Sequence, residues 1–208
     1  MSGRRVFLLS PASLRGERAR ILLNEHAGFD LAVRLRGQGA CLGEIFSFLS
    51  GLYFRGKLAY ADRFADPPPA VPGSLVIAPG RGLLPPETPV TVATLREISG
   101  VPVEASESRY QAPLARDARA ISEAIDPECG VVLLGSIATT KYVDPLVEVF
   151  GERLLFPAEF VGRGDMSRGG LMLRCVRAGS ELAYIPITGS TRRGPRPPRL
   201  SRLQRTSW

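Results

Sequence analysis

The residues of this 208-residue chain best suited to chemistry come in small groups, hydroxyls and cations set beside glycine or proline. Ser136, Thr139, Thr140 and Lys141 follow Gly135. Ser10 and Ser13 flank Pro11-Ala12, Arg81 stands between Gly80 and Gly82, and Arg163 and Arg168 lie in the glycine-dense stretch from Val161 to Gly170. Backbone N–H groups of such turns, joined by guanidinium, ammonium and hydroxyl donors, hold phosphate-like anions. The turn from Gly135 to Lys141 lacks a glycine directly before its lysine and a Ser or Thr directly after it, so it is no P-loop. Two carboxylates, Asp165 and Glu159, flank the same glycine-dense stretch and are the candidates for general acid or base work. Arg163 and Arg168 would favour the ionised form of Asp165, which suits a base or an electrostatic stabiliser; Asp165 also reads as a helix cap. Tyr53 and Tyr142 are candidate platforms for stacking a base, or core aromatics at helical spacing.

Absences narrow the chemistry. The chain has one histidine, His26, in Asn24-Glu-His-Ala-Gly28, read as an ordinary surface or core residue. With this sole histidine placed away from the strand ends, neither a Ser-His-Asp triad nor a multi-histidine metal site is expected. Cys41, Cys129 and Cys175 form no C-x-x-C pair and read as small buried thiols. No metal and no cofactor is expected. Arginine outnumbers lysine 25 to 2, so Lys57 and Lys141 stand out as positions where this chain departs from its default cation.

These residues need a frame to bring them together. Cys129 to Leu134 is an unbroken apolar run ending at Gly135, the pattern of a strand buried on both faces. Arg5 to Ser10, Leu75 to Ala78 and Arg153 to Phe156 read as further strands. Helices are expected over Glu17 to Arg36 with a break at Gly28, over Glu44 to Ala65 with interruptions at Ser50-Gly51 and Gly56, and over Thr91 to Ser99 and Pro113 to Ile125. Another is expected from Asp144-Pro145 to Phe150. Asp66-Pro-Pro-Pro-Ala-Val-Pro-Gly73 ends the second helical segment, Pro79 to Pro89 reads as a rigid loop, and Val101 to Tyr110 is ambiguous. Leu171 to Ile187 reads as a helix then a strand, or as a hairpin. The alternation gives an α/β fold, a mainly parallel, Rossmann-like open sheet flanked by helices. In such a sheet the four strand-end loops share one edge and would line one anion-binding cleft.

Charge is unevenly spread. Residues 189 to 208 hold Arg192, Arg193, Arg196, Arg199, Arg202 and Arg205 and no acid, so +6 of the net +7 lies there. A domain over 1 to 188 followed by an Arg/Pro-rich tail over 189 to 208 is the expected organisation. The tail suits the phosphate backbone of a polyanion, or serves solubility, or packs Pro197, Pro198 and Leu200 on the surface. No stretch approaches the roughly 18 to 20 apolar residues of a membrane span. Only Val6 to Leu9 is apolar near the N-terminus, too short for a signal peptide, so a cytoplasmic protein with no membrane partner is expected.

Three short motifs carry a family resemblance. Leu9-Ser10-Pro11-Ala12 is similar to a strand ending in Ser-Pro or Ser-Cys. Leu49-Ser50-Gly51-Leu52-Tyr53-Phe54-Arg55, with Tyr60 after it, is similar to a Ser-Gly-x-Tyr/Phe helix, and Arg81-Gly82-Leu83-Leu84-Pro85-Pro86 to a Gly-Leu-Leu-x-Pro loop. In that order they resemble the small bacterial YaaA-type proteins and relatives with a uracil-DNA-glycosylase-like fold, including the corresponding domain of archaeosine synthase. The resemblance runs over residues 5 to 90, with Leu14-Arg15 where several relatives carry lysine or cysteine. It implies a protein that handles nucleobases, nucleotides or nucleic acid. Within that class stand an enzyme acting on N-glycosidic bonds or bases, a non-catalytic DNA- or RNA-binding protein, and a sensor of a small nucleotide. The sequence sets no oligomeric state.

Overall fold

A computed structural model of the chain describes residues 3–138, 140–191, 194–198 and 200. Thr139 and the tail arginines 192, 193, 199, 202 and 205 lie outside the described residues. The chain opens with β1 (Arg5–Leu9), α1 (Glu17–Leu22), α2 (Asp30–Arg36) and the two-residue β2 (Ala40–Cys41). It continues through α3 (Leu42–Ser50), α4 (Leu52–Phe64), β3 (Ser74–Ala78), β4 (Gly82–Leu84) and β5 (Pro89–Val90). Next come α5 (Val92–Ser99), α6 (Ser108–Ala124), β6 (Gly130–Leu134), α7 (Thr140–Phe150), β7 (Leu154–Pro157), α8 (Asp165–Ala178) and β8 (Tyr184–Pro186). Six strands form one sheet in the order β4-β3-β1-β6-β7-β8. The four inner strands are parallel, and antiparallel β4 and β8 close the edges. The fold is therefore α/β with a mainly parallel sheet.

Strand periodicity sorts the apolar residues into two cores. Phe7, Leu9, Val76, Ala78, Val132 and Leu134 face the layer built from the first four helices and α8. Val6, Leu8, Leu75, Ile77, Val131 and Leu133 face α6 and α7. Val131 to Leu134 are fully buried, as an inner parallel strand covered on both sides requires.

Several elements differ from the pattern-based expectation, each for a physical reason. The Pro79 to Pro89 segment is not all loop: a turn at Pro79-Gly80-Arg81 folds β4 back on β3, pairing Ile77 with Leu83. Gly82 sits in β4 at φ 83°, and a Cβ there would meet the Asp117 carboxylate at 1.9 Å, so this glycine serves packing against α6. Helix α7 begins at Thr140, ahead of Asp144-Pro145, because Tyr142, Val143, Leu146 and Phe150 form its buried stripe. Pro145 lies inside the helix and removes its amide bond to the Lys141 carbonyl. Likewise α6 starts before Pro113, where the Glu107 side chain accepts from the Arg109 backbone N–H. The glycine-dense stretch is mostly helix α8, followed by β8, which resolves Leu171 to Ile187 as helix then strand. Gly51, at φ 60°, separates α3 from α4. Cys129 is buried and Cys175 half-buried, but Cys41 is exposed, which corrects the reading of three buried thiols. His26 lies exposed in the turn between α1 and α2. Among the described residues no helix is long and apolar enough to cross a membrane, and no group of His, Cys, Asp or Glu has a metal-binding arrangement.

Candidate functional site

From β1 the chain crosses to β3 on one side of the sheet, and only later does it return to β6 on the other side. The carboxyl ends of β1 and β6 are therefore a topological switch point, where the loops diverge and leave a crevice. The Ser10 N–H donates to the Leu134 carbonyl at 3.3 Å and ties the two strand ends together. Above them lies a cleft of about 580 Å3. Its floor carries Ser10, Ser136, Tyr53, Tyr142 and Asp165, and Leu14, Leu49, Ile98, Val101 and Val103 give it an apolar wall. Lys141, Arg15, Ser13 and Glu104 also border it.

The floor is assembled by a helix crossing. Gly56 of α4 and Gly169 of α8 meet backbone to backbone. A Cβ on Gly56 would come 2.8 Å from the Gly169 carbonyl oxygen, and one on Gly169 would come 2.7 Å from the Leu52 carbonyl oxygen. That approach brings Tyr53 and Lys57, one turn apart on α4, against Asp165 and Arg168, one turn apart at the start of α8. Lys57 is 1% exposed, and its Nζ lies 2.6 Å from the Ser10 carbonyl oxygen and 2.9 Å from Ser10 Oγ. The same nitrogen sits 4.3 Å from the Tyr53 ring centroid. Burial pushes the Lys57 ammonium down to about 7; the Asp165 carboxylate opposes the shift and Arg168 adds to it. Burial raises the Tyr53 phenol to about 12, with Arg168 opposing. The Tyr53 hydroxyl is buried with no hydrogen-bond partner; the Arg168 guanidinium stands near it without reaching hydrogen-bond geometry. Tyr142 is likewise raised to about 12, by burial and then by Tyr53 and Asp165.

The structure divides the residues singled out from the sequence. Ser10, Ser13, Ser136, Lys141, Tyr53, Tyr142 and Asp165 all line the one cleft. The others do not. Arg81 sits on the β3–β4 hairpin, ion-paired with Glu97, and Gly82 is committed to packing. Arg163 donates to the carbonyls of Glu159 and Pro198 at 3.0 and 3.3 Å and to Ser167 Oγ at 3.3 Å, outside the cleft. Glu159 is exposed on the short helical turn that precedes α8, and Thr140 is exposed at the start of α7. Arg168 is buried behind Tyr53, where Nε and Nη2 donate to the Phe160 carbonyl at 3.2 and 3.1 Å and Nη1 lies 3.6 Å from Asp165. It holds the floor and is not offered to a ligand.

Two roles change as well. Asp165 is the first residue of α8 and makes no capping bond; Gly164 is the cap. Neither tyrosine is an open stacking platform, since Lys57 covers a face of Tyr53 and the Lys141 ammonium sits 5.1 Å from the Tyr142 ring centroid. Lys141 and Arg15 make no ion pair among the described residues and are the cations that border the cleft. Lys57, Arg15 and Glu104 were not singled out as site residues. The signal for Lys57 was its rarity in a chain of arginines and its place one turn after Tyr53. No protein-family model, no curated protein and no solved structure matches this chain.

Proposed function

We propose that the cleft binds a nucleotide-class ligand and that the chain acts on nucleotides or nucleic acid. The observation that carries this reading is the mixed lining of one cavity. It brings the serines Ser10, Ser13 and Ser136 and the cations Lys141 and Arg15 together with the apolar side chains of Leu14, Leu49, Val101 and Val103. A ligand that fits has an anionic, hydrogen-bonding end and a flat, weakly polar body, as a nucleotide has. The volume falls within the roughly 300 to 1,000 Å3 of small-molecule sites. The resemblance over residues 5 to 90 to proteins with a uracil-DNA-glycosylase-like fold supports the same class. In its enzymatic form, an N-glycosidic or base-modifying reaction, Asp165 supplies the carboxylate that faces the ligand.

Calorimetric titration with a nucleoside monophosphate, the matching nucleoside and inorganic phosphate tests the reading. The monophosphate is expected to bind more tightly than either fragment. Lys141→Ala and Arg15→Ala should each weaken it roughly tenfold, the worth of a charge-assisted contact, with no change in melting temperature. Arg81→Ala and Arg163→Ala should leave it unchanged, because those guanidinium groups are already engaged. Equal failure of all three ligands would overturn the reading.

A further inference from the structure

We propose that Ser10 is a nucleophile with Lys57 as its base, which gives the floor of the cleft the capacity for acyl transfer from an ester of nucleotide size. The inference goes beyond ligand class and does not depend on which ligand fills the cleft. Its foundation is geometric. Ser10, though only 5% exposed, is a lining residue of the cleft, and its Oγ lies 2.9 Å from Lys57 Nζ, within reach for proton transfer. The Ser10 carbonyl, 2.6 Å from the same nitrogen, fixes the amine in place. A neutral amine fits both contacts: one N–H donates to the carbonyl, and the lone pair accepts from the Ser10 hydroxyl. Beside the hydroxyl is Gly135, where a Cβ would stand 3.2 Å from Ser10 Oγ and crowd its approach to a substrate.

The titratable and charged groups around Lys57 are few. Asp165 and Arg168 come from α8, Tyr53 from its own helix with Tyr142 of α7 adjoining it, and the Ser10 hydroxyl from the residue that follows β1. Burial of the amine outweighs Asp165 and lowers its basicity to about 7, so much of it is neutral near neutral pH. In the reaction, Ser10 Oγ bonds to the ester carbonyl carbon as its proton passes to Lys57. The carbon–oxygen bond to the leaving group then breaks, and Lys57 returns the proton to the departing alkoxide. Water attacks the Ser10 ester with Lys57 again as base, releasing the acid and restoring the hydroxyl. The balance needs only water.

An alkyl fluorophosphonate tests this without a known substrate. The Ser10 Oγ–phosphorus bond forms, the phosphorus–fluorine bond breaks, and the proton leaves through Lys57. With the full chain, intact mass and peptide mapping are expected to show one adduct, on Ser10, none in Ser10→Ala, and a rate at least about 100-fold lower in Lys57→Met. In the wild type the rate should rise with pH through about 7 as Lys57 loses its proton. Asp165→Asn removes the charge that favours the ammonium, so its rate profile should shift to lower pH, which a purely structural lysine would not produce. Absence of label on Ser10 between about pH 6 and about pH 9, or an unshifted profile in Asp165→Asn, would overturn the proposal. If Lys57→Met fails to fold, the wild-type and Asp165→Asn profiles decide. Loss of labelling would leave the ligand reading intact, because the titrations measure binding alone.

Discussion

Lys57 is the residue on which the floor of the cleft turns. Its side chain is 1% exposed, and its ordinary value of 10.5 falls to about 7 through burial. Between those two values the unfolded chain binds a proton that the folded chain does not. Stability should therefore rise with pH across that window, by up to about 1.4 kcal/mol per unit, and this contribution should be flat below it. Urea unfolding of wild type and Lys57→Met at several pH values isolates the term as a difference. The wild type is expected to gain on the variant from about pH 7 upward. Parallel curves would mean that the lysine stays charged in the fold. Arg168 makes a contrast at the same scale: it is also buried, but its guanidinium donates twice to the Phe160 carbonyl and approaches Asp165. Among the described residues Lys57 and Arg168 are the buried cations.

At the scale of elements the crossing of α4 and α8 does the positioning. Gly169→Ala would place a Cβ 2.7 Å from the Leu52 carbonyl oxygen and 2.8 Å from the Tyr53 Cα, both backbone atoms that cannot swing aside. The cost should be about 1 to 3 kcal/mol, with weakened monophosphate binding because Tyr53 and Asp165 move apart. Gly170→Ala is the control: its Cβ would meet only the Leu200 side chain at an ordinary 3.6 Å, and the gain in helix propensity should make it neutral or stabilising. Circular dichroism melts of the two variants check the pair, and equal effects would contradict the account of the crossing. The same crossing explains what was legible in the sequence. Apolar runs marked β1, β3 and β6, and with them the sheet edge and the cleft on it, because burial on both faces leaves a local signature. Gly169 and Gly170 read as loop, since glycine most often marks a turn; its use to let two helix backbones touch depends on a partner more than 100 residues away in sequence. Arg81, Arg163 and Arg168 looked available for the same reason: their partners Glu97, Pro198 and Phe160 are fixed by the tertiary fold. The hairpin residues Gly82 to Leu84 are too few to show a strand period.

Across the whole molecule, charge and cleft are separate. The last 20 residues carry +6, and the 188 before them share the remaining +1. The described part of the tail packs close to α8. A Cβ on Gly162 would meet the Pro195 carbonyl oxygen at 2.1 Å, and Arg163 holds the Pro198 carbonyl. Deleting the tail would therefore disturb packing as well as charge, so replacing its six arginines by glutamine is the cleaner change. The full chain should bind duplex DNA with a log–log salt slope steeper by about 5 than that charge-neutral variant, as release of about one counterion per arginine requires. Equal slopes would make the tail irrelevant to polyanion affinity. The cleft should bind its monophosphate equally well in both. The most direct measurement is a crystal structure of the full chain soaked with a nucleoside monophosphate. Density is expected over the β1–β6 edge, with the phosphate within reach of Lys141 or Arg15 and the base against Leu49, Val101 and Val103. A cleft left empty at saturating ligand, or a nucleotide seated only on the tail, would contradict the account.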